Sequence, residues 1–243
     1  MSTLVKVLTA LILSLTLCSC QMDFITGGER GNGNVVTADR VLEGNFDSVE
    51  ASEGLDIIIN QSNDQTITVE ADENLHDLIL TEIKGNTLKI HCKKNIGRAT
   101  SKKVFVNLPD IKKLESNSGA DLWSMGVIKA NTLHLKTSSG ADIEVEVETT
   151  DLYLETSSGS DIEVTGKTTN VTAHASSGSD IDAAQLDAQN ASAEATSGAD
   201  ITVYSSEKID IRSNSGGDVS YRGNPAIVQK QGKNLNLNLD FKD

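Results

Sequence analysis

Ser139-Gly140-Ala141-Asp142-Ile143-Glu144-Val145-Glu146-Val147 is followed nineteen residues later by Ser158-Gly159-Ser160-Asp161-Ile162-Glu163-Val164. The same Ser-Gly-small-Asp-aliphatic cluster stands at Ser118-Gly119-Ala120-Asp121-Leu122 and Ser177-Gly178-Ser179-Asp180-Ile181. It returns at Ser197-Gly198-Ala199-Asp200-Ile201 and Ser215-Gly216-Gly217-Asp218-Val219, with glycine-to-glycine steps of 21, 19, 19, 20 and 18. A period in this range marks a solenoid, in which one repeat is one coil that buries its apolar face only against its neighbours.

The columns of the repeat choose between helical and β coils. Three places after the glycine stand Leu122, Ile143, Ile162, Ile181, Ile201 and Val219, and two further on Ser124, Val145, Val164, Ala183, Val203 and Tyr221. Five places before it come Leu114, Leu135, Leu154, Ala173, Ala193 and Ile211. Apolar residues two apart with polar ones between them have the period of a half-buried strand, and β-branched residues dominate. Helical solenoids need about 33 to 47 residues per unit. Each coil therefore reads as strand, Gly-containing turn, strand, loose turn, stacked as a parallel β-helix at about 4.8 Å per coil. The Ala173, Ala175, Ala193 and Ala195 positions imply a narrow interior. Within the turn, glycine supplies a left-handed backbone angle and aspartate is expected to accept turn N–H bonds. Gly119, Gly140, Gly159, Gly178, Gly198 and Gly216 with Asp121, Asp142, Asp161, Asp180, Asp200 and Asp218 thus form a structural turn ladder.

That aspartate column is also the one candidate site. Six carboxylates at strand spacing span about 24 Å and invite structural calcium, an oxygen-ligand cation. One carboxylate per coil, however, supplies fewer oxygens than calcium takes, so no cofactor is expected. His76, His91, His134 and His174 lack metal-ligand spacing. No nucleophile elbow or phosphate loop occurs, and eight aromatic residues, with one Trp, leave little platform for sugar rings. The chain reads as non-enzymatic, with no catalytic residue.

The start of the 243-residue chain reads as an export signal. Lys6 precedes an apolar run, residues 7–17, too short to span a membrane. Leu17-Cys18-Ser19-Cys20 resembles the bacterial lipobox, which implies cleavage after residue 19 and acylation of Cys20. Removing residues 1–19 leaves 20 basic and 35 acidic residues, a formal charge of −15, which argues against nucleic acid as a partner. Cys92 then has no intrachain disulfide partner besides the anchor. Residues 20–34 read as a flexible tether. Residues 35–243 read as one β-helix domain: wider coils over 35–110, regular coils over 111–223, and a cap strand in 224–243 where Leu235-Asn236-Leu237-Asn238-Leu239 alternates. Strands are expected near 56–60, 66–70, 87–92 and 103–108, a short helical turn after a capping Asp72, and a hairpin at Lys84-Gly85-Asn86-Thr87.

Gly33-Asn34-Val35-Val36, Phe46-Asp47-Ser48-Val49 and Gly54-Leu55-Asp56-Ile57-Ile58-Ile59 carry a family resemblance. So do Glu70-Ala71-Asp72-Glu73-Asn74-Leu75, Val106-Asn107-Leu108-Pro109, the serial Ser-Gly-x-Asp clusters and Tyr221-Arg222-Gly223-Asn224-Pro225. With these, residues 31–243 resemble the bacterial autotransporter adhesins with a head GIN domain. The resemblance implies a right-handed β-helix like that of pectin lyases, without a catalytic set, in a small envelope protein. The reading is a lipid-anchored adhesion or interaction module in the bacterial cell envelope, at the outer membrane or cell surface. Its partners would be the membrane, an unidentified protein or glycan ligand and its own copies. A periplasmic scaffold and a degenerate carbohydrate-active enzyme stand as alternatives.

Overall fold

The computed structural model describes residues 27–41 and 44–232; Cys20 and the cap strand expected at 235–239 lie outside them. Sixteen strands follow one another. The first eight are β1 (Val35–Asp39), β2 (Ser48–Ala51), β3 (Asp56–Gln61), β4 (Thr66–Asp72), β5 (Ile79–Lys84), β6 (Thr87–Cys92), β7 (Lys102–Leu108) and β8 (Lys113–Asn117). Then come β9 (Asp121–Ser138), β10 (Asp142–Ser157), β11 (Asp161–Ser176), β12 (Asp180–Thr196), β13 (Asp200–Tyr204), β14 (Lys208–Asn214), β15 (Asp218–Arg222) and β16 (Ile227–Gly232). A single 3-10 turn, Glu73–Leu75, is the only helical element among the described residues. They build a parallel β-solenoid of about six turns.

The register is the repeat itself. Asp142, Ile143 and Glu144 of β10 pair with Asp161, Ile162 and Glu163 of β11, and the match continues through Ser157 and Ser176. Because coils stack with like on like, the apolar columns become continuous interior ridges. Ile143, Ile162, Ile181 and Ile201 are each at most 2% exposed, and Leu154, Ala173 and Ala193 at most 1%. Ser124 departs from its column. The longest coil bulges at Met125-Gly126, the β9–β10 register shifts between Glu144 and Glu146, and Ser124 Oγ turns out to accept the Glu146 N–H at 3.2 Å.

The Gly corner differs from the sequence reading in one respect. The serine before each glycine is left-handed too, with φ of 52–61° at Ser118, Ser139, Ser158, Ser177, Ser197 and Ser215, ahead of 66–82° at the six glycines. Two successive positive φ values reverse the chain within two residues, as in a primed turn. The Ala120 N–H closes it on Asn117 O at 3.2 Å. Stacking does not stop at the corner: Ser118 N–H donates to Ser138 O and Gly119 N–H to Ser139 O, and the next coils repeat this. The small residue after the glycine points inward and is fully buried at Ala120, Ala141, Ser160, Ser179 and Ala199. Where it carries a hydroxyl, a buried partner waits: Ser160 Oγ lies 2.9 Å from Thr137 Oγ1, and Ser179 Oγ 2.9 Å from Thr156 Oγ1.

The first coils are stacked out of chain order. β2 pairs in parallel with both β6 and β8, and β3 with both β7 and β9. The coil β2–β3 therefore sits between β6–β7, which follows it in sequence, and β8–β9. Beyond β6–β7 the stack closes with antiparallel strands: β5 on β6, β4 on β7 and β1 on β4. The Gly85-Asn86 hairpin joins β5 to β6 as expected. At the other end β15 and β16 are paired on one side only among the described residues.

Ile162→Ala is expected to cost about 2–5 kcal/mol through the cavity it opens, and the outward Glu163→Ala less than about 0.5 kcal/mol. Gly159→Ala should cost about 1 kcal/mol for its left-handed angle alone, since the added carbon meets only Gly178 O at 4.0 Å. Gly217→Ala should cost more, because its carbon would stand 2.5 Å from the Ala195 carbonyl carbon. Urea unfolding orders the four; a Glu163→Ala loss exceeding that of Ile162→Ala would invert the inside and outside faces.

Candidate functional site

Outward-facing residues obey the same register, so every solvent column is a ladder. The aspartates line up without interruption: Asp56 on Asp121, then Asp142, Asp161, Asp180, Asp200 and Asp218. Asp56 belongs to the loose first copy of the motif at Glu53-Gly54, whose φ values of 64° and 69° reproduce the corner. The ladder thus has seven members, spanning about 29 Å at strand spacing. Two residues further along, Glu144, Glu163 and Asp182 form a shorter carboxylate column beside it.

The aspartates take little of the bonding expected of turn caps, a backbone N–H from Asp180 toward the Asp161 carboxylate being the exception. The corner N–H groups go to backbone carbonyls of their own turn or of the next coil, and the four central carboxylates are exposed. Desolvation, then repulsion from Asp142 and Asp56, raises the Asp121 carboxyl above its ordinary 3.8. Desolvation followed by Asp142 and Asp180 raises Asp161, and desolvation followed by Asp180 and Asp218 raises Asp200.

Other ladders of the same molecule are compensated. On the strands leading into the corner, the outward column runs Glu82, Lys89, Glu50, Glu115, Lys136, Glu155, His174, Glu194, Arg212. Lys89 Nζ meets Glu50 Oε2 at 2.6 Å and Lys136 Nζ meets Glu155 Oε1 at 3.2 Å. Its like-charged step, Glu50 to Glu115, is relieved by Lys113, which pairs with Glu115. A third column alternates Lys129, Glu148 and Lys167, with contacts of 3.2 and 3.5 Å that hold Glu148 below its ordinary range. Alternation is what stacked charges need for stability. The aspartate ladder alone among these three is uniform, and a bare line of negative charge fits a surface carrying positive groups.

Two buried reactive side chains, Cys92 and Asp72, have structural surroundings. Desolvation, with Glu53 nearby, pushes the buried Cys92 thiol to about 11, which keeps it protonated. Asp72 heads the 3-10 turn but makes no cap bond there. Its buried carboxylate instead accepts N–H groups from Gly33 at 2.5 Å, Thr100 at 2.7 Å and Ser101 at 3.1 Å. Desolvation opposes ionisation and the three donors outweigh it, so its carboxyl lies below 3.8. Residues 29–34, read from sequence as tether, are thereby docked: Gly31 N–H also donates to Arg98 O and Asn32 N–H to Asn74 Oδ1. Among the described residues, no three His, Cys, Asp or Glu side chains are placed to hold a metal.

Comparison with known proteins follows the same lines. The family described as "Putative auto-transporter adhesin, head GIN domain" matches over residues 45–225. A crystal structure of a "putative adhesin" from Bacteroides fragilis superposes with a TM-score of 0.77 at 19% identity, covering 85% of this chain and 98% of its own. A "putative lipid binding protein" from Parabacteroides distasonis gives 0.68 at 22%, with the same coverage of both chains. A "putative adhesin" from Parabacteroides merdae gives 0.68 at 18%, again covering 85% and 98%. At these identities the likeness is one of fold. No curated protein matches the chain.

The ladder sets a pH dependence of definite sign. A carboxyl raised above its unfolded value of 3.8 binds more protons in the native state. Its contribution to stability is therefore full below 3.8 and is lost as pH rises through the folded value. Asp161→Asn should accordingly stabilise the protein at pH 8 by about 0.5 kcal/mol, the scale of one like-charged cross-strand step. That advantage should fade as the pH approaches 3.8. Thermal melts of both proteins across this range check it; a variant less stable than wild type at pH 8 would restore the turn-capping role.

Proposed function

Since the chain belongs to the head GIN domain family, we propose that it is a non-enzymatic adhesion module held in the bacterial cell envelope by acyl chains on Cys20. The uniform aspartate ladder is the observation that carries the interaction role. Desolvation and mutual repulsion raise the carboxyls of Asp121, Asp161 and Asp200, which makes the ladder a cost to folding, whereas the columns through Lys136 and Lys129 are charge-compensated. Seven evenly spaced carboxylates on a rigid stack form a multivalent surface, in which weak contacts with a protein or glycan bearing repeated cationic groups add up. The family membership supports a place at the cell surface or in the envelope, and the short apolar run ending in Leu17-Cys18-Ser19-Cys20 supports the anchor.

A scaffold role within an envelope complex has one feature in its favour. Among the described residues, β15 and β16 leave backbone donors and acceptors on their outer edges, which a strand from another chain can pair. Accessibility separates the two readings.

Protease added to intact cells should digest the protein if it faces outward; complete protection would favour the scaffold. Cys20→Ala should move the protein from the membrane to the soluble fraction or leave its signal uncleaved, as fractionation and mass spectrometry would record. Membrane retention unchanged after that substitution would remove the anchor from the proposal. Asp142→Asn/Asp161→Asn/Asp180→Asn should weaken adhesion of cells to a cationic surface without lowering the melting temperature.

A further inference from the structure

Positive charge is concentrated in one place. Residues 84–113 hold nine lysines and arginines and a single acid, Asp110, whereas residues 114–223 hold 18 acids and six bases. The fold gathers the basic segment into the β6–β7 coil at the closed end of the stack, while the acidic segment forms the rod. Four of the nine are neutralised: Lys84 by Glu82, Lys89 by Glu50, Lys112 by Asp47 and Lys113 by Glu115. Lys93, Lys94, Arg98 and Lys103 are exposed and carry no ion pair among the described residues. Glu29 and Glu53 flank the loop, and Asp56 and Glu70 stand in register on either side of Lys103, so the excess of positive charge lies at Lys93, Lys94 and Arg98.

The N-terminal chain arrives at this loop. Glu29 N–H donates to Asn95 O at 2.8 Å, Gly97 N–H to Glu29 O at 2.9 Å, and Gly31 N–H to Arg98 O at 2.9 Å. The backbones come so close that a β-carbon on Gly97 would stand 1.9 Å from Gly27 O. Seven residue steps separate Cys20 from Gly27, a reach of at most about 25 Å. An acylated Cys20 therefore holds this loop, and not the acidic rod, near the lipid surface.

We infer that the loop bearing Lys93, Lys94 and Arg98 docks on anionic lipid headgroups of the membrane that holds the anchor. The inference rests on the lipid-anchored reading above and adds an orientation to it. Attraction at the basic pole and repulsion along the acidic rod both turn the closed end toward the membrane and the aspartate ladder away from it. Each lysine or arginine near an anionic surface is worth about a fivefold gain in partition.

The chain from Gln21 onward, without acyl groups, tests the loop alone, since every described contact lies within it. It should cosediment with vesicles of phosphatidylcholine and phosphatidylglycerol, bind phosphatidylcholine vesicles weakly, and lose binding as salt rises. K93Q/K94Q/R98Q should reduce partition about 100-fold, with an unchanged melting temperature. K129Q/K136Q/K167Q removes the same charge from the rod and should leave binding intact. Equal binding to both vesicle types, or equal losses in the two triple variants, would overturn the inference. Self-association that depends on Lys93, Lys94 and Arg98, in place of vesicle binding, would overturn it as well. Because this readout needs no acyl chain, it can fail while the Cys20→Ala fractionation succeeds, and the reverse.

Discussion

Coils stacked about 4.8 Å apart place each side chain nearest to its own counterpart one repeat away, and this constraint governs the rest of the molecule. Inside, it turns a column of isoleucines into a ridge with no room for a polar substitute. At the corner, it demands that all turns share one backbone shape, because Ser118, Ser139 and Ser158 bond to the equivalent carbonyls of the next coil. Outside, it brings like charges together unless the sequence alternates them. A repeat protein cannot vary one coil without answering to two neighbours.

Side-chain chemistry at the corner shows how tightly that answer is drawn. The inward position after the glycine admits alanine or serine, and a serine there comes with a threonine one coil earlier, as in Ser160 with Thr137 and Ser179 with Thr156. The last corner is tighter still. Gly217 faces the Ala195 carbonyl so closely that even a methyl group is excluded. The coil ending at that corner is also the shortest, at 18 residues from Gly198 to Gly216.

Electrostatics divides the surface into columns of alternating charge that serve stability and an acidic strip, led by the aspartate ladder, that does not. Alternating columns through Lys136 and Lys129 gain from each contact, whereas desolvation and then neighbouring carboxylates push Asp121, Asp161 and Asp200 toward protonation. A local choice that opposes folding, maintained along a ladder of seven aspartates, is the kind of inconsistency that marks a working surface. The basic pole completes the polarity: a closed, positively charged end beside the incoming chain, and an acidic rod beyond it.

The period, the columns, the inside and outside faces and the glycine corners were all legible in the sequence, because each is a local pattern repeated along the chain. Strands near 56–60, 66–70, 87–92 and 103–108 were legible for the same reason, as was the hairpin at Gly85-Asn86. The left-handed serines were not, since serine has no intrinsic preference for that angle and only the two-residue reversal imposes it. Nor were the out-of-order stacking of β2–β3, the joining of Asp56 to a ladder that begins 65 residues later, or the diversion of Asp72 from its helical turn to Gly33, Thr100 and Ser101. Those depend on contacts between segments far apart in the chain, where no periodicity records the partner. The amino-acid sequence determined the shape of a coil; which coil lies against which, and which charges are thereby paired, were decided by the tertiary stack.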